Sequence, residues 1–270
     1  MRALDQIEHW PAPAAAAVVL PDGSIVRRGD TGAGFRLASL TKLATAMAVL
    51  VGHEEGSLSL DDTDPLTGAT VADLLAHCSG LGPDGSMVMQ EPRRRRVYST
   101  RAYEVAADLL AERSGVPFAE YLRLSVVEPM AMTGFELRGS PGADGFGSVD
   151  DLLGLARAWR EPVLVHRSTL ERARTPHLPD LHGVLPGFGR QTPNPWGLGP
   201  EITGTKSPHW TGPNNAPSTY GHFGQAGTMM WIDPAADITL IALCEESFGP
   251  WAIDAWPLLS AAVLAEALAL

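Results

Sequence analysis

The chain has 270 residues, 45% of them hydrophobic and 19% charged, with a formal net charge of −11 at neutral pH. That length and balance fit one large globular domain or two interleaved ones and exclude a disordered chain. The acidic surface argues against a nucleic-acid partner, which needs concentrated basic charge, and the basic run Arg93 to Arg96 reads as a solvated loop.

Near the start, Asp5 and Glu8 come early, and the apolar run Ala14–Leu20 is short and leads into a turn. Neither a secretory leader nor a membrane span of ~20 apolar residues is expected there, and a cytoplasmic location follows as the expectation. Cys78 and Cys244 stand far apart and read as reduced, buried thiols. Ala14–Leu20 and Ile25–Arg28 flank Pro21-Asp22-Gly23-Ser24, a hairpin signal. The glycine-rich stretch 29–34 then leads to Ser39, which opens a helix apolar almost all round up to Leu50.

Further on, Thr70 followed by Asp73 marks a capped helix start. Tyr103–Arg113, Phe118–Leu124 and Asp150–Trp159 have helical spacing, and residues 177–217 form a long Pro-, Gly- and Trp-rich loop region. Thr228–Asp233 and Asp237–Leu243 form a second hairpin, and Trp251–Leu270 a terminal amphipathic helix interrupted at Pro257. The pattern predicts an α/β (α+β) fold: an antiparallel sheet built from both chain ends and flanked by helices, with an inserted all-helical lobe. The expected division is 1–38 plus 196–270 for the sheet domain and 39–195 for the mostly helical lobe, with the active site at their junction.

Ser39-Leu40-Thr41-Lys42 places a hydroxyl and an ammonium three residues apart, on one helix face. A serine hydroxyl attacks only when a nearby base takes its proton, and a lysine becomes that base when burial depresses its pKa. S-x-x-K is a signature of β-lactamases and penicillin-binding proteins. Taken alone it also fits a capping serine beside a surface lysine.

Other stretches point the same way. Phe35–Lys42 (FRLASLTK), Leu58–Pro65 (LSLDDTDP), Leu74–Leu81 (LLAHCSGL), Val97–Phe135 and Gly221–Cys244 (GHFGQAGT…) follow one another in order. In that order they resemble the landmarks of the group that joins class C β-lactamases, DD-peptidases and family VIII esterases. The resemblance implies a nucleophile at Ser39, its assisting lysine at Lys42, and a proton-relaying tyrosine at Tyr98 whose phenol Lys42 would acidify. It implies a third motif at His222-Phe223-Gly224, with Gly224 letting substrate lie close to the strand. It also implies an oxyanion hole made by the backbone N–H groups of Ser39 and Gln225.

Two positions depart from the family pattern. Tyr98-Ser99-Thr100 stands where Tyr-x-Asn is common, and the asparagine there usually serves both the lysine and the substrate's acylamino side chain; Thr100 has only a short hydroxyl to offer. His222 stands where a lysine is frequent, so it could meet a substrate carboxylate only when protonated. Both changes favour small esters or amides over β-lactams. The histidines are dispersed, and Asp61–Asp64 lacks a calcium loop's glycine and glutamate, so no metal and no cofactor are expected. The expected partner is a small-molecule ester or amide, with neither nucleic acid nor membrane involved. Acyl transfer, β-lactam or peptide hydrolysis on the same site, and a non-catalytic binding protein remain alternatives, and the oligomeric state is open.

Overall fold

The computed structural model describes residues 1–269. A 3₁₀ turn over Arg2–His9 precedes β1 (Ala14–Val19), β2 (Ile25–Arg28), β3 (Phe35–Ala38), α1 (Thr41–Glu54), α2 (Val71–Leu75), α3 (Thr100–Ser114) and α4 (Phe118–Leu122). Next come β4 (Glu136–Leu137), β5 (Gly145–Gly147), α5 (Val149–Arg160), α6 (Arg167–Ala173), β6 (Gly183–Leu185) and β7 (Gly189–Gln191). The chain closes with β8 (Glu201–Ile202), β9 (Tyr220–Gly224), β10 (Thr228–Asp233), β11 (Ile238–Cys244) and α7 (Pro250–Ala267).

The main sheet runs β2-β1-β11-β10-β9-β8, every pair antiparallel, and is assembled from the two chain ends as expected. β1, β10 and β11 are apolar along most of their length because both faces are covered. The two-residue period sends Ala15, Ala17, Met230, Ile232, Ile241 and Leu243 to one core. It sends Ala16, Val18, Met229, Trp231, Leu240 and Ala242 to the other. α7 and the N-terminal turn cover the second face; Glu266 of α7 accepts the backbone N–H groups of Arg2 and Ala3, both at 2.7 Å. α1 is buried from Thr41 to Gly52 in the first core, which is what a helix without a polar face requires.

The structure departs from the sequence reading in three places. α5 belongs to the stretch expected to form the helical lobe, yet it lies on β1, β10 and β11. The stretch 39–195 is mostly helical but also supplies β4 and β5, which pair with β3 of the sheet domain, and the β6-β7 sheet; these strands of two to four residues are too short to show a period in sequence. α7 runs through Pro257 without a break, because burying Trp256, Leu259, Ser260 and Val263 outweighs one missing helical hydrogen bond. Among the described residues no helix is long and apolar enough to cross a membrane.

Candidate active site

Ser39 is delivered by β3 and a sharp turn. Ala38, just before it, has φ +46°, a left-handed conformation that costs a residue with a Cβ about 1 kcal/mol or more. The turn is held by Thr41, whose Oγ1 donates to the Ala38 carbonyl at 2.6 Å and accepts from the Gly145 N–H at 2.8 Å. Backbone bonds from Leu40 N–H to Leu37 O and from Lys42 N–H to Ser39 O, each 3.1 Å, wind the chain into α1. Ser39 therefore lies two residues ahead of α1 rather than on its first turn, and Lys42 still comes round to face it.

Lys42 Nζ is 3.3 Å from Ser39 Oγ, 3.4 Å from Thr100 Oγ1 and 2.6 Å from the Gly142 carbonyl oxygen. The side chain is fully buried. Burial holds its pKa down to about 7, while the Asp84 and Glu104 carboxylates partly oppose that. Near neutral pH a large fraction of Lys42 is therefore the free amine, able to take the Ser39 proton. Thr100 keeps the lysine contact expected of an asparagine. Ser99 caps α3 by accepting from the Ala102 N–H at 3.0 Å, and this fixes Thr100 in place.

Tyr98 departs from expectation. Lys42 Nζ sits over its ring, 4.8 Å from the centroid, and not at its hydroxyl. Burial pushes the phenol pKa well up and the Ser39 hydroxyl beside it offsets only part of that, so Tyr98 stays protonated. As such it can donate a proton but cannot act as a phenolate base.

His222 is buried too, and burial together with nearby Lys42 holds its pKa down to about 3. Its Nδ1 is 2.7 Å from the Phe223 carbonyl, so the neutral ring donates there and leaves Nε2 as an acceptor, 3.4 Å from the Tyr98 hydroxyl. His222 is thus a neutral acceptor facing the Tyr98 hydroxyl and offers no cation to a substrate carboxylate. The ratio of kcat/KM for an acidic and a neutral ester of equal size is expected to stay flat from about pH 5 to 8. A fall above about pH 6.5 confined to the acidic ester would restore a protonated His222.

Gly224 is corrected as well. A Cβ there would stand 2.3 Å from the Leu37 carbonyl oxygen and 2.5 Å from Thr228 Oγ1. Its missing side chain lets β3 approach β9, so the space of a Cβ is filled by protein. Phe223 and Gln225 do line the Ser39 cavity, together with Tyr98, Thr100, Trp196 and His222. No acceptor within the described protein takes up the backbone N–H of Ser39 or Gln225, which leaves both donors free at the cavity.

The cavity holds about 330 Å³. Trp196 walls it in an aromatic cluster, edge-on to His222 at 5.4 Å and to His77 at 4.6 Å between ring centroids. Behind Trp196 lies a buried ionic group, Glu201, Lys206 and His209.

A match to the family model described as Beta-lactamase extends over residues 5–262, nearly the whole chain. The chain belongs to the β-lactamase family. A solved β-lactamase from Mycobacterium bovis is 44% identical, with TM-score 0.95 over 98% of this chain and 99% of that one. Simvastatin synthase from Aspergillus terreus shares the fold at 16% identity, with TM-score 0.82 over 98% of this chain and 93% of that one. EstCE1, described as a hydrolase with promiscuous acyltransferase activity, does so at 17% identity, with TM-score 0.79 over 97% and 96%. Penicillin-binding protein 4* of Bacillus subtilis is 28% identical over a match that takes in 36% of this chain and only 29% of that protein. Members of the β-lactamase family are serine hydrolases, and the fold also serves esterases, acyltransferases and penicillin-binding proteins.

Three features of this β-lactamase-family site escaped the sequence reading. The Gly142 carbonyl on Lys42 is a backbone group without a residue signature. Asp84 puts a carboxylate on the cavity wall, beside a neutral His222. His77, in the stretch LLAHCSGL, receives the Ser99 N–H on Nδ1 at 3.1 Å and stacks on Tyr98 with centroids 4.5 Å apart, so it supports the tyrosine loop. Its place in a quoted motif was the available signal.

Asp73, Cys78 and His177 come within metal-ligating reach of one another. Asp73 is already occupied, however, by Thr70, by His177 at 3.0 Å and by Arg93, whose Nε lies 3.2 and 3.0 Å from the two carboxylate oxygens. Burial and Asp73 also push the Cys78 thiol well up. The cluster caps α2 and ties down the Arg93 loop through the Arg93–Asp73 ion pair.

Proposed function

We propose that the chain is a serine hydrolase acting on small, uncharged esters or amides through an acyl-Ser39 intermediate. The observation that carries this reading is the free-amine Lys42 at 3.3 Å from Ser39 Oγ inside a cavity with two unused backbone donors. In acylation, neutral Lys42 takes the Ser39 proton as Oγ attacks the carbonyl carbon, and the oxyanion lies against the N–H groups of Ser39 and Gln225. The Tyr98 hydroxyl then gives a proton to the leaving oxygen or nitrogen and is reprotonated from solvent, while Lys42 releases the Ser39 proton to solvent before deacylation. Water repeats the sequence on the acyl-enzyme; an alcohol or amine in its place would make the reaction an acyl transfer.

The cavity wall favours an uncharged substrate, because Asp84 repels a carboxylate and neutral His222 offers it no cation. The buried, unpaired Cys78 and Cys244 suit a reducing compartment, and we place the reaction in the cytoplasm. A second reading, β-lactam hydrolysis, is supported by the 44% identity to the Mycobacterium bovis β-lactamase. It requires the carboxylate of the β-lactam to bind beside Asp84.

A fluorophosphonate is expected to add once, at Ser39, as read by intact mass and peptide mapping. Ser39→Ala should lose both the adduct and p-nitrophenyl acetate hydrolysis. Turnover surviving in Ser39→Ala would sink the assignment, and a folded, unlabelled wild-type protein would favour a non-catalytic binding role. Nitrocefin turnover exceeding ester turnover would favour the second reading.

A further inference from the structure

The Ser39 cavity does not end at its own wall. A second cavity of about 330 Å³ abuts it, and the two share Pro83, Tyr98 and Pro186 as lining residues. One side of this second cavity is the strap between Gly80 and Gln90, which folds back on itself through the Gly82 N–H to Met87 O bond at 2.8 Å and the Leu81–Val88 bridge. The other side is the β6–β7 hairpin. The groove between them presents Met89, Val97, Val184 and Pro186.

Two arginines also border the groove, and both are engaged elsewhere. Arg96 is buried and spends its guanidinium on the carbonyls of Asn194, Ala76, His177 and Leu178. Arg95 donates from Nε to Gln90 Oε1 at 2.8 Å. The accessible surface is therefore aliphatic, yet it is left open to solvent: Met89 is 47% and Val184 58% exposed. Next to Met89 on the strap, Met87 and Val88 are exposed as well. An exposed apolar strip of this kind at the mouth of a polar site marks a binding surface.

We infer that the groove receives an elongated apolar acyl chain, so that the substrate is a medium- or long-chain acyl ester with its carbonyl at Ser39. This rests on the esterase reading and specifies its substrate class. The acyl arm is the part that fits, because the Pro83 carbonyl accepts the Thr100 N–H at 2.8 Å. The groove thus opens next to the Pro83 strap that holds Thr100, the position expected to face the acyl side chain, while His222 lies outside it.

The test is a series of p-nitrophenyl esters from acetate to decanoate, run beside fluorophosphonates of matching alkyl length. Each added methylene should raise kcat/KM up to about fourfold, mainly through KM, until the chain outgrows the groove. Val184→Asp and Met89→Asp should cut the octanoate-to-acetate ratio by about tenfold or more, and Val184→Trp should do so by filling the groove without adding charge. Leu258→Asp, at an exposed apolar position on α7, should leave the ratio unchanged. A flat profile in protein whose Ser39 is labelled overturns the inference and leaves the esterase reading standing. So does a gain seen only with longer alkyl alcohols of acetate, which gives the groove to the leaving group. Failure of every probe to label Ser39 overturns both.

Discussion

Lys42→Met should lower kcat for ester hydrolysis by roughly 10²–10⁴-fold, the scale for losing a general base, and should at the same time make the protein more stable. Wild-type activity should rise with pH through about 7, as the ammonium gives up its proton, and the residual activity of the variant should lack that limb. The stability change follows from the same shift. The folded-state pKa lies below the ordinary lysine value of 10.5, so folding works against the charged form. The penalty is full below about pH 7, fades as pH rises towards 10.5, and is gone where the lysine is neutral in both states. Its size is on the order of several kcal/mol. Removing the side chain also orphans the Gly142 carbonyl, which costs about 1–3 kcal/mol, so the net effect remains a gain. Urea unfolding of both proteins near pH 6.5 and near pH 10 checks this. A variant less stable than wild type at pH 6.5 would mean that the Lys42 ammonium is well solvated or well paired in the folded protein, with its pKa not lowered.

The parts legible in the sequence are those set by local chemistry. Both hairpins were marked by turn residues between β-branched or small apolar runs, and the Thr70–Asp73 pair forms the capping box its spacing predicts. Ser39 and Lys42 meet because one turn of chain brings them together whatever surrounds them. What escaped is set by packing between distant segments. The charge states of Tyr98 and His222 follow from how deeply the lobe, the tyrosine loop and β9 bury them, and a residue's identity does not encode that depth. Gly224 invited a functional reading because glycine serves equally well where a ligand or another strand comes close; the Leu37 carbonyl, 2.3 Å from where a Cβ would stand, decides between them. Trp196, from the Trp-rich loop region, is a pocket wall backed by buried charge, a role its place in a loop does not encode.

That buried charge gives the second large expected effect. Lys206→Met should destabilise the protein by roughly 3–5 kcal/mol, the cost of leaving one member of a buried ion pair alone. The Lys206 and Glu201 side chains are 0% and 1% exposed, with Nζ 2.7 Å from Oε1. The same Oε1 lies 2.9 Å from His209 Nε2, and Oε2 accepts from Trp210 Nε1 at 2.7 Å. Burial alone would raise the Glu201 pKa, but Lys206 and His209 together hold it well below the usual carboxylate range. Its contribution to stability is therefore present above the unfolded-state value of about 4.3 and is lost as pH falls below that. Without Lys206, His209 is the remaining group that can neutralise the carboxylate, so the loss should be smaller near pH 5 than near pH 8. Glu201 pairs across β8–β9 with Gly221, the neighbour of His222, and Lys206 Nζ stands 5.8 Å from the Trp196 ring centre. Ester turnover should thus fall along with stability. Glu201→Gln combined with Lys206→Met should cost less than the two single changes added, because the double variant strands no charge. A loss under about 1 kcal/mol in Lys206→Met would show that the charge is not what holds the wall of the site, and that the backbone pairing of β8 with β9 suffices.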